Sequence, residues 1–131
     1  MHDELERIDA QIAAWERKLS TGEPVALDGA LEAASGVALA LIRVYVAAEG
    51  SKPVPAEDAD LLEAFKVLVK GDPTWNAVRD NLRELVYYRN CLSLGRADAL
   101  PAVPEKMAIR LARHFYLYLR TRCVKEGRIA A

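Results

Sequence analysis

The chain has 131 residues, 52% hydrophobic and 28% charged, a balance that favours one folded globular domain over residues 1–131 and argues against a disordered chain. Its formal net charge of −1 conceals two halves of opposite charge. Residues 1–70 hold thirteen acidic and seven basic residues, whereas residues 71–131 hold eleven basic and six acidic ones. We therefore expect separate acidic and basic regions on the surface.

The N-terminal segment predicts a first helix. Its apolar residues recur at spacings of three and four, which places them on one stripe of a helix with charged sides. They are Leu5, Ile8, Ile12, Trp15 and Leu19, and the segment Ser-Thr-Gly-Glu-Pro at 20–24 ends the helix. The chain starts on acidic, polar sequence without the basic start and apolar run of an export signal, so we expect a cytoplasmic protein.

The second helix is predicted to run from an N-cap at Asp28 to about Glu49, where a glycine and the proline-containing segment 51–55 stop it. It is apolar on nearly every side and rich in alanine, so we expect it at the centre of a bundle. Its most apolar stretch, 37–48, contains Arg43 and is about twelve residues long, against the roughly 20 needed to cross a bilayer. We therefore expect a buried helix and no membrane segment.

A third helix is predicted to begin after Pro55 and to end at Gly71. The acidic residues assigned to its first turn, where negative charge complements the helix dipole, are Glu57, Asp58 and Asp60. Together with Glu63 they could form a divalent-ion cluster, but only some of them share a helix face, and first-turn acids need no metal to explain them. The two histidines, at positions 2 and 114, form no pair at ligand spacing, so we predict no metal site.

The fourth helix is predicted to open on Asp72 as N-cap, with Pro73 at the first helical position, and to run to about Leu94. The fifth starts at Pro104 and runs to about 125–127. The short connection makes these two helices an expected antiparallel hairpin. Because no segment alternates like a half-buried strand, the sequence predicts an all-α single-domain bundle of about five helices, with the second helix central.

Basic and aromatic residues interleave on the predicted hairpin. With Leu94 level with Pro104, Arg110 is expected near Arg89, in a cationic cluster at mid-height. The candidate binding residues are Arg83, Tyr87, Arg89, Asn90, Arg110, Arg113 and His114. Guanidinium groups beside aromatic rings can hold phosphates and stack on bases, which suits RNA or another anionic ligand. A protein-binding surface and a merely solvated face are the other interpretations that the pattern leaves open.

The segment 82–90, Leu-Arg-Glu-Leu-Val-Tyr-Tyr-Arg-Asn, resembles the arginine-asparagine segment of HEPN-type helical domains. That resemblance implies a small helical bundle of a kind that often dimerises and in many cases acts as an RNase. In that family a histidine follows the arginine after four to six intervening residues and takes part in RNA cleavage. Here the corresponding positions hold Leu94, Gly95 and Arg96, so nuclease activity is not supported.

The sequence contains no glycine-rich phosphate loop and no serine nucleophile in a recognisable turn, and it implies no cofactor. The function that we favour is that of a small non-catalytic accessory or adaptor protein that binds another protein, including itself. In a homodimer the acidic half of one subunit can lie over the basic half of the other. The alternative is a HEPN-like domain without RNase activity that binds RNA or another anion through the basic hairpin.

Overall fold

The computed structural model describes all 131 residues, Met1–Ala131, and its regular structure is entirely helical, which confirms the predicted all-α class. The five α-helices are α1 (His2–Ser20), α2 (Leu27–Glu49), α3 (Leu61–Gly71), α4 (Arg79–Ser93) and α5 (Pro104–Lys125). Two short 3₁₀ segments, Pro73–Val78 and Ala97–Ala99, precede and follow α4.

Helix α2 is the central element, as its composition predicts. It packs against all four other α-helices, most extensively against α5. Helix α1 contacts both α2 and α5 on one side of this central pair, and α4 contacts α2, α3 and α5. The buried apolar side chains form one cluster of 28 residues to which all five helices contribute. Helices α4 and α5 contact each other, as expected for a hairpin.

The central helix is longer than its most apolar stretch suggested. Its 23 residues are long and apolar enough to cross a membrane by length and composition alone. However, 56% of its apolar window is buried inside the bundle, where ten of its residues contribute to the interior. The core helix of a bundle passes the same test because it must be apolar towards several neighbours at once.

Two predicted helix starts are wrong by a few residues. Helix α2 begins at Leu27, so Asp28 lies in its first turn and accepts a hydrogen bond from the adjacent Gly29 N–H at 2.8 Å. Helix α3 begins only at Leu61, because the Asp60 carboxylate caps it by accepting from the Glu63 N–H at 3.1 Å. The acids at positions 57 and 58 therefore lie in the turn that precedes the helix.

The predicted cap at Asp72 is confirmed, since its carboxylate accepts from the Thr74 N–H at 3.0 Å and Pro73 follows at the first position. The helical turns after this cap are 3₁₀ up to Val78, and the α-helix itself starts at Arg79. The 3₁₀ segment carries Trp75, which is 1% exposed, into the core. Its indole ring meets Tyr45 edge-on, with the ring centroids 4.9 Å apart.

Candidate interaction surface on helices α4 and α5

The structure distributes the seven predicted binding residues over different surfaces of the bundle. Arg83 and Tyr87 line a shallow depression on the outer side of α4. Arg89 lines a cleft together with α2 and the segment 57–61. Arg110 lies in a groove with Glu16 and other residues of α1. The expected cluster of Arg89 with Arg110 is therefore wrong, because the two side chains turn towards different neighbouring helices.

The Arg113 side chain forms ion pairs with two carboxylates of the same chain. Its guanidinium donates to Asp9 at 2.5 Å and to both carboxylate oxygens of Glu16, at 2.7 and 3.2 Å. The hydrogen bonds to Glu16 and then to Asp9, partly opposed by burial, hold the pKa of Arg113 above its usual range. The side chain is 20% exposed. Arg113 thus bridges the acidic α1 to the basic α5, and a ligand would have to compete with these two carboxylates for its guanidinium.

The remaining basic candidates are open to solvent. Arg83, Arg89 and Arg110 are exposed and are not among the ion pairs of the bundle, and His114 and Asn90 are likewise exposed. The arginines that do form ion pairs with carboxylates are those at positions 43, 96, 113, 122 and 128. The free arginines can therefore donate to a partner without first giving up a partner of their own.

Two large apolar side chains stand beside these free bases. Tyr87, one helical turn beyond Arg83, is 49% exposed, and the neighbouring Cys91 side chain raises its pKa. Leu117 is 52% exposed and lies on α5 three residues after His114 and seven after Arg110, which places the three on one face of the helix. We call these solvent-facing residues together the hairpin surface; they form one patch on α4, with Arg83, Tyr87 and Asn90, and a separate patch on α5, with Arg110, His114 and Leu117.

Sequence reasoning missed a charged network at the C-terminal end of α5. Arg122 stacks over Trp75, with its guanidinium carbon 4.0 Å from the ring centroid, and donates to Asp72 at 2.6 Å. Partial burial alone would lower the pKa of Arg122. The hydrogen bonds of its guanidinium, above all the one to Asp72, outweigh this and raise the pKa above its usual range. Hydrogen bonds from Thr74 and then from Arg122 lower the pKa of Asp72 from 3.8 to about 2.

The same network continues through Glu126. Its carboxylate accepts from the Tyr45 hydroxyl at 2.6 Å and from Arg128 at 2.9 Å. Burial opposes the charge of Glu126, yet these hydrogen bonds lower its pKa. The network lines a cleft of about 300 Å³. Since its charges already pair with one another, we assign it the structural role of fastening the end of α5 to α2 and to the 3₁₀ segment.

The chemistry available to the chain is limited by burial and spacing. Both cysteines are free and buried, and burial raises the pKa of Cys123 to about 11, so this thiol stays protonated at neutral pH. No group of three or more histidine, cysteine, aspartate or glutamate side chains is placed to hold a metal ion. What the arrangement offers is an exposed surface of unpaired guanidinium groups beside apolar side chains.

Comparison with protein-family models, with curated proteins and with solved structures gives no match. The likeness of residues 82–90 to HEPN domains thus stays a local resemblance. The bundle is all-helical and carries unpaired arginines and half-exposed apolar side chains on α4 and α5.

Proposed function

We propose that this chain is a small, non-catalytic accessory protein of the cytoplasm that acts by binding another protein, and that a second copy of itself is one such partner. The observation that carries the proposal is the composition of the hairpin surface. Leu117 and Tyr87 are about half exposed; the unpaired Arg83 lies one helical turn before Tyr87, and the unpaired Arg110 lies two turns before Leu117. Tyrosine and arginine are enriched among the residues that contribute most to protein–protein affinity.

The charge division of the chain supports self-association. Of the eleven bases in residues 71–131, Arg113 alone is paired with acids of the first half, so most of the opposite charge is not neutralised across the halves within one molecule. A two-fold dimer that sets the acidic half of one subunit against the hairpin surface of the other forms the same favourable contact twice. Such complementarity speeds association and weakens with salt.

Sedimentation velocity at micromolar protein concentration tests this proposal. We expect a dimer at about 50 mM salt and a shift towards monomer at about 500 mM, where the Debye length falls to a few ångströms. Arg110→Ala and Leu117→Ser should each weaken the dimer, while Lys125→Ala, an exposed base near the end of the same helix, serves as the control. A monomer under both salt conditions refutes the self-association.

RNA binding is the second candidate, and one observation favours it. Arg83 and the exposed ring of Tyr87 lie one helical turn apart in the same depression, which provides a stacking face next to a phosphate-binding group. A short labelled RNA should then bind with an affinity that falls as salt rises, and Tyr87→Ala should weaken it. If the RNA shows no mobility shift at low salt, RNA binding is ruled out. It is also ruled out if Tyr87→Ala and Arg83→Ala bind the RNA as well as the parent does.

A further inference from the structure

The central helix α2 has one side that the other helices leave uncovered. The residues on this side are exposed or only partly buried, and they recur at the spacings of three and four that share a helix face. Helical geometry places them within a sector of about 120°. Only two of them are charged, although the outward side of a surface helix is normally polar. We call these residues the α2 face: Glu32, Ala33, Gly36, Leu39, Ala40, Arg43 and Ala47.

Helix α1 extends this apolar surface on one side. Gln11, Ala14 and Trp15 of α1 form a groove with α2 whose volume is about 480 Å³ and whose lining contains no charged side chain. Gly36 lies in this groove, and no side chain or neighbouring helix comes within 4 Å of the position where its Cβ would stand. The groove is therefore open to an apolar side chain from another molecule.

The two charged residues of the α2 face are eleven positions apart, which is about 16 Å along the helix. Glu32 is exposed and forms no ion pair within the chain. The Nε of Arg43 donates to the Pro55 carbonyl at 2.8 Å, and one terminal nitrogen lies 3.7 Å from Glu57. The Arg43 side chain is 34% exposed. Its guanidinium is thus held at the edge of the face with N–H groups left to donate to a further carboxylate.

A two-fold axis between Gly36 and Leu39 makes the α2 face complementary to itself. When two copies of α2 pack antiparallel about this axis, residues at equal distances on either side of it stand opposite each other. Glu32 of each copy then meets Arg43 of the other. Leu39 of each copy meets Gly36 of the other, where open space can receive its side chain. Charge and shape therefore match in one register.

The same axis brings opposite charges together on α1. Gln11 lies level with Gly36, because both line the groove between the two helices, and the axis passes near it. Glu4 and Lys18 each lie seven residues from Gln11, on the same side of α1, so they stand opposite each other in the two copies. Both are exposed. Within the chain Glu4 contacts the N-terminal ammonium at 3.3 Å, and Lys18 lies over the ring of Trp15.

The size of this surface fits a weak dimer. Helices α1 and α2 together present an area of about 25 Å by 20 Å, so that two copies cover about 1,000 Å², the lower limit of a specific interface. Glu57 and Asp58 border the α2 face and lie on the same side of the axis in both copies, so their repulsion also lowers the affinity. We expect a dissociation constant in the micromolar range.

We propose that a second copy of this chain packs on the α2 face and the adjoining groove, so that α1 and α2 of the two copies form an antiparallel four-helix contact about a two-fold axis. The inference rests on the self-association proposed above and gives it a second, separate face. It uses no residue of the hairpin surface, so the two contacts can be tested independently.

Charge reversal tests the register. Glu32→Arg places two arginines opposite each other at both ends of the contact, and Arg43→Glu places two glutamates there, so each should weaken the dimer about tenfold in sedimentation velocity. An equimolar mixture of the two variants should restore dimerisation, because every opposing pair is again a glutamate with an arginine. Glu23→Arg, at an exposed acid of the loop between α1 and α2, makes the same change of charge and should have no effect.

Gly36→Cys provides a test that does not depend on charge. In this register the Cα atoms of the two copies of position 36 are about 6 Å apart, within the range of a disulfide, whereas those of position 48 are about 30 Å apart. Mild oxidation should therefore cross-link Gly36→Cys into a dimer. Ala48→Cys, at an exposed position of the same helix, should stay monomeric, as should the parent, whose two cysteines are buried.

The outcomes separate this contact from the hairpin contact. If Arg110→Ala and Leu117→Ser dissociate the dimer while Glu32→Arg and Arg43→Glu leave it unchanged, the hairpin surface alone forms the dimer and the proposal is overturned. A mixture of the two charge variants that stays monomeric, although each is folded by circular dichroism, also overturns it. So does a Gly36→Cys variant that cross-links no more than Ala48→Cys. Binding of the monomeric parent to neutral lipid vesicles would assign the face to a membrane surface instead.

Discussion

Replacing Arg122 by alanine tests the charged network at the end of α5. In the folded protein this side chain is 15% exposed, lies over the ring of Trp75 and donates to Asp72 at 2.6 Å. It also donates to the Thr74 hydroxyl at 2.9 Å. Truncation to alanine therefore removes a short hydrogen bond to the Asp72 carboxylate, a longer one of 3.3 Å to Glu126, a neutral one to Thr74 and a cation–π contact from one partly buried position.

The expected loss follows from these contacts. A hydrogen bond to a charged group contributes about 1.5–3 kcal/mol and a cation–π contact about 1 kcal/mol. The side chain of Asp72 is 40% exposed, so in the variant water replaces part of the hydrogen bonding that Arg122 supplied to it. The loss of stability should therefore lie near the lower end of the summed contributions. We expect the free energy of unfolding to fall by about 2–3 kcal/mol. For a chain of 131 residues this corresponds to about 7–11 °C in Tm.

Thermal and urea unfolding followed by far-UV circular dichroism measure this loss. Arg122→Lys keeps the charge but not the planar fork that stacks on Trp75, so it should fall between the parent and Arg122→Ala. Lys125→Ala, at an exposed position on the same helix, is the control and should stay within about 0.5 kcal/mol of the parent. If Arg122→Ala is no less stable than this control, the network does not fasten the end of α5.

Three further outcomes are expected. Because the folded state lowers the pKa of Asp72 from 3.8 to about 2, its contribution to stability is present above about pH 3.8 and is lost as the pH falls through about 2; the parent and Asp72→Asn should therefore converge in Tm over that range, and a constant difference contradicts the assignment. Phe115→Ala, at a fully buried position, should cost about 3–5 kcal/mol in urea unfolding, and a loss below about 1 kcal/mol would place Phe115 outside the core. Gly36→Ala should stabilise by about 0.5–1 kcal/mol, since it lies within α2 with open space around it, whereas Gly50→Ala should destabilise by a similar amount because Gly50 ends α2 at a φ of +82°; the same sign for both variants refutes this reasoning.

Local signals predicted the helices well. The proline after Asp72 and the proline that opens α5 mark helix starts through their own backbone restrictions, and the structure confirms both. The start of α3 was misplaced because several acids stand near it, and the start of α2 because its N-cap is Ala26, which makes no side-chain capping hydrogen bond. Which carboxylate caps a helix depends on the backbone path of the preceding turn, and here that path selects Asp60 for α3.

The candidate site was predicted less completely. The sequence indicated which half of the chain is basic and which helices carry the exposed arginines. It could not show that Arg113 is neutralised, because its partners Asp9 and Glu16 are 104 and 97 positions away in the chain. It also placed Arg89 beside Arg110, because the register of a hairpin gives the height of a residue along the helices but not the side of the helix from which its side chain projects.

The all-helical class, the apolar centre at α2 and the division of charge follow from the amino-acid sequence alone, because periodicity, caps and composition act within a few residues of one another. Which charged side chains remain unpaired depends on how the helices pack. Because α1 packs against α5, Arg113 is ion-paired with acids of α1. Because α2, residues 57–61 and α4 pack together, they form an acidic cleft lined by Ser35. Ion pairs and clefts depend on distances of a few ångströms between segments far apart in the chain, and those distances exist only after the helices have packed.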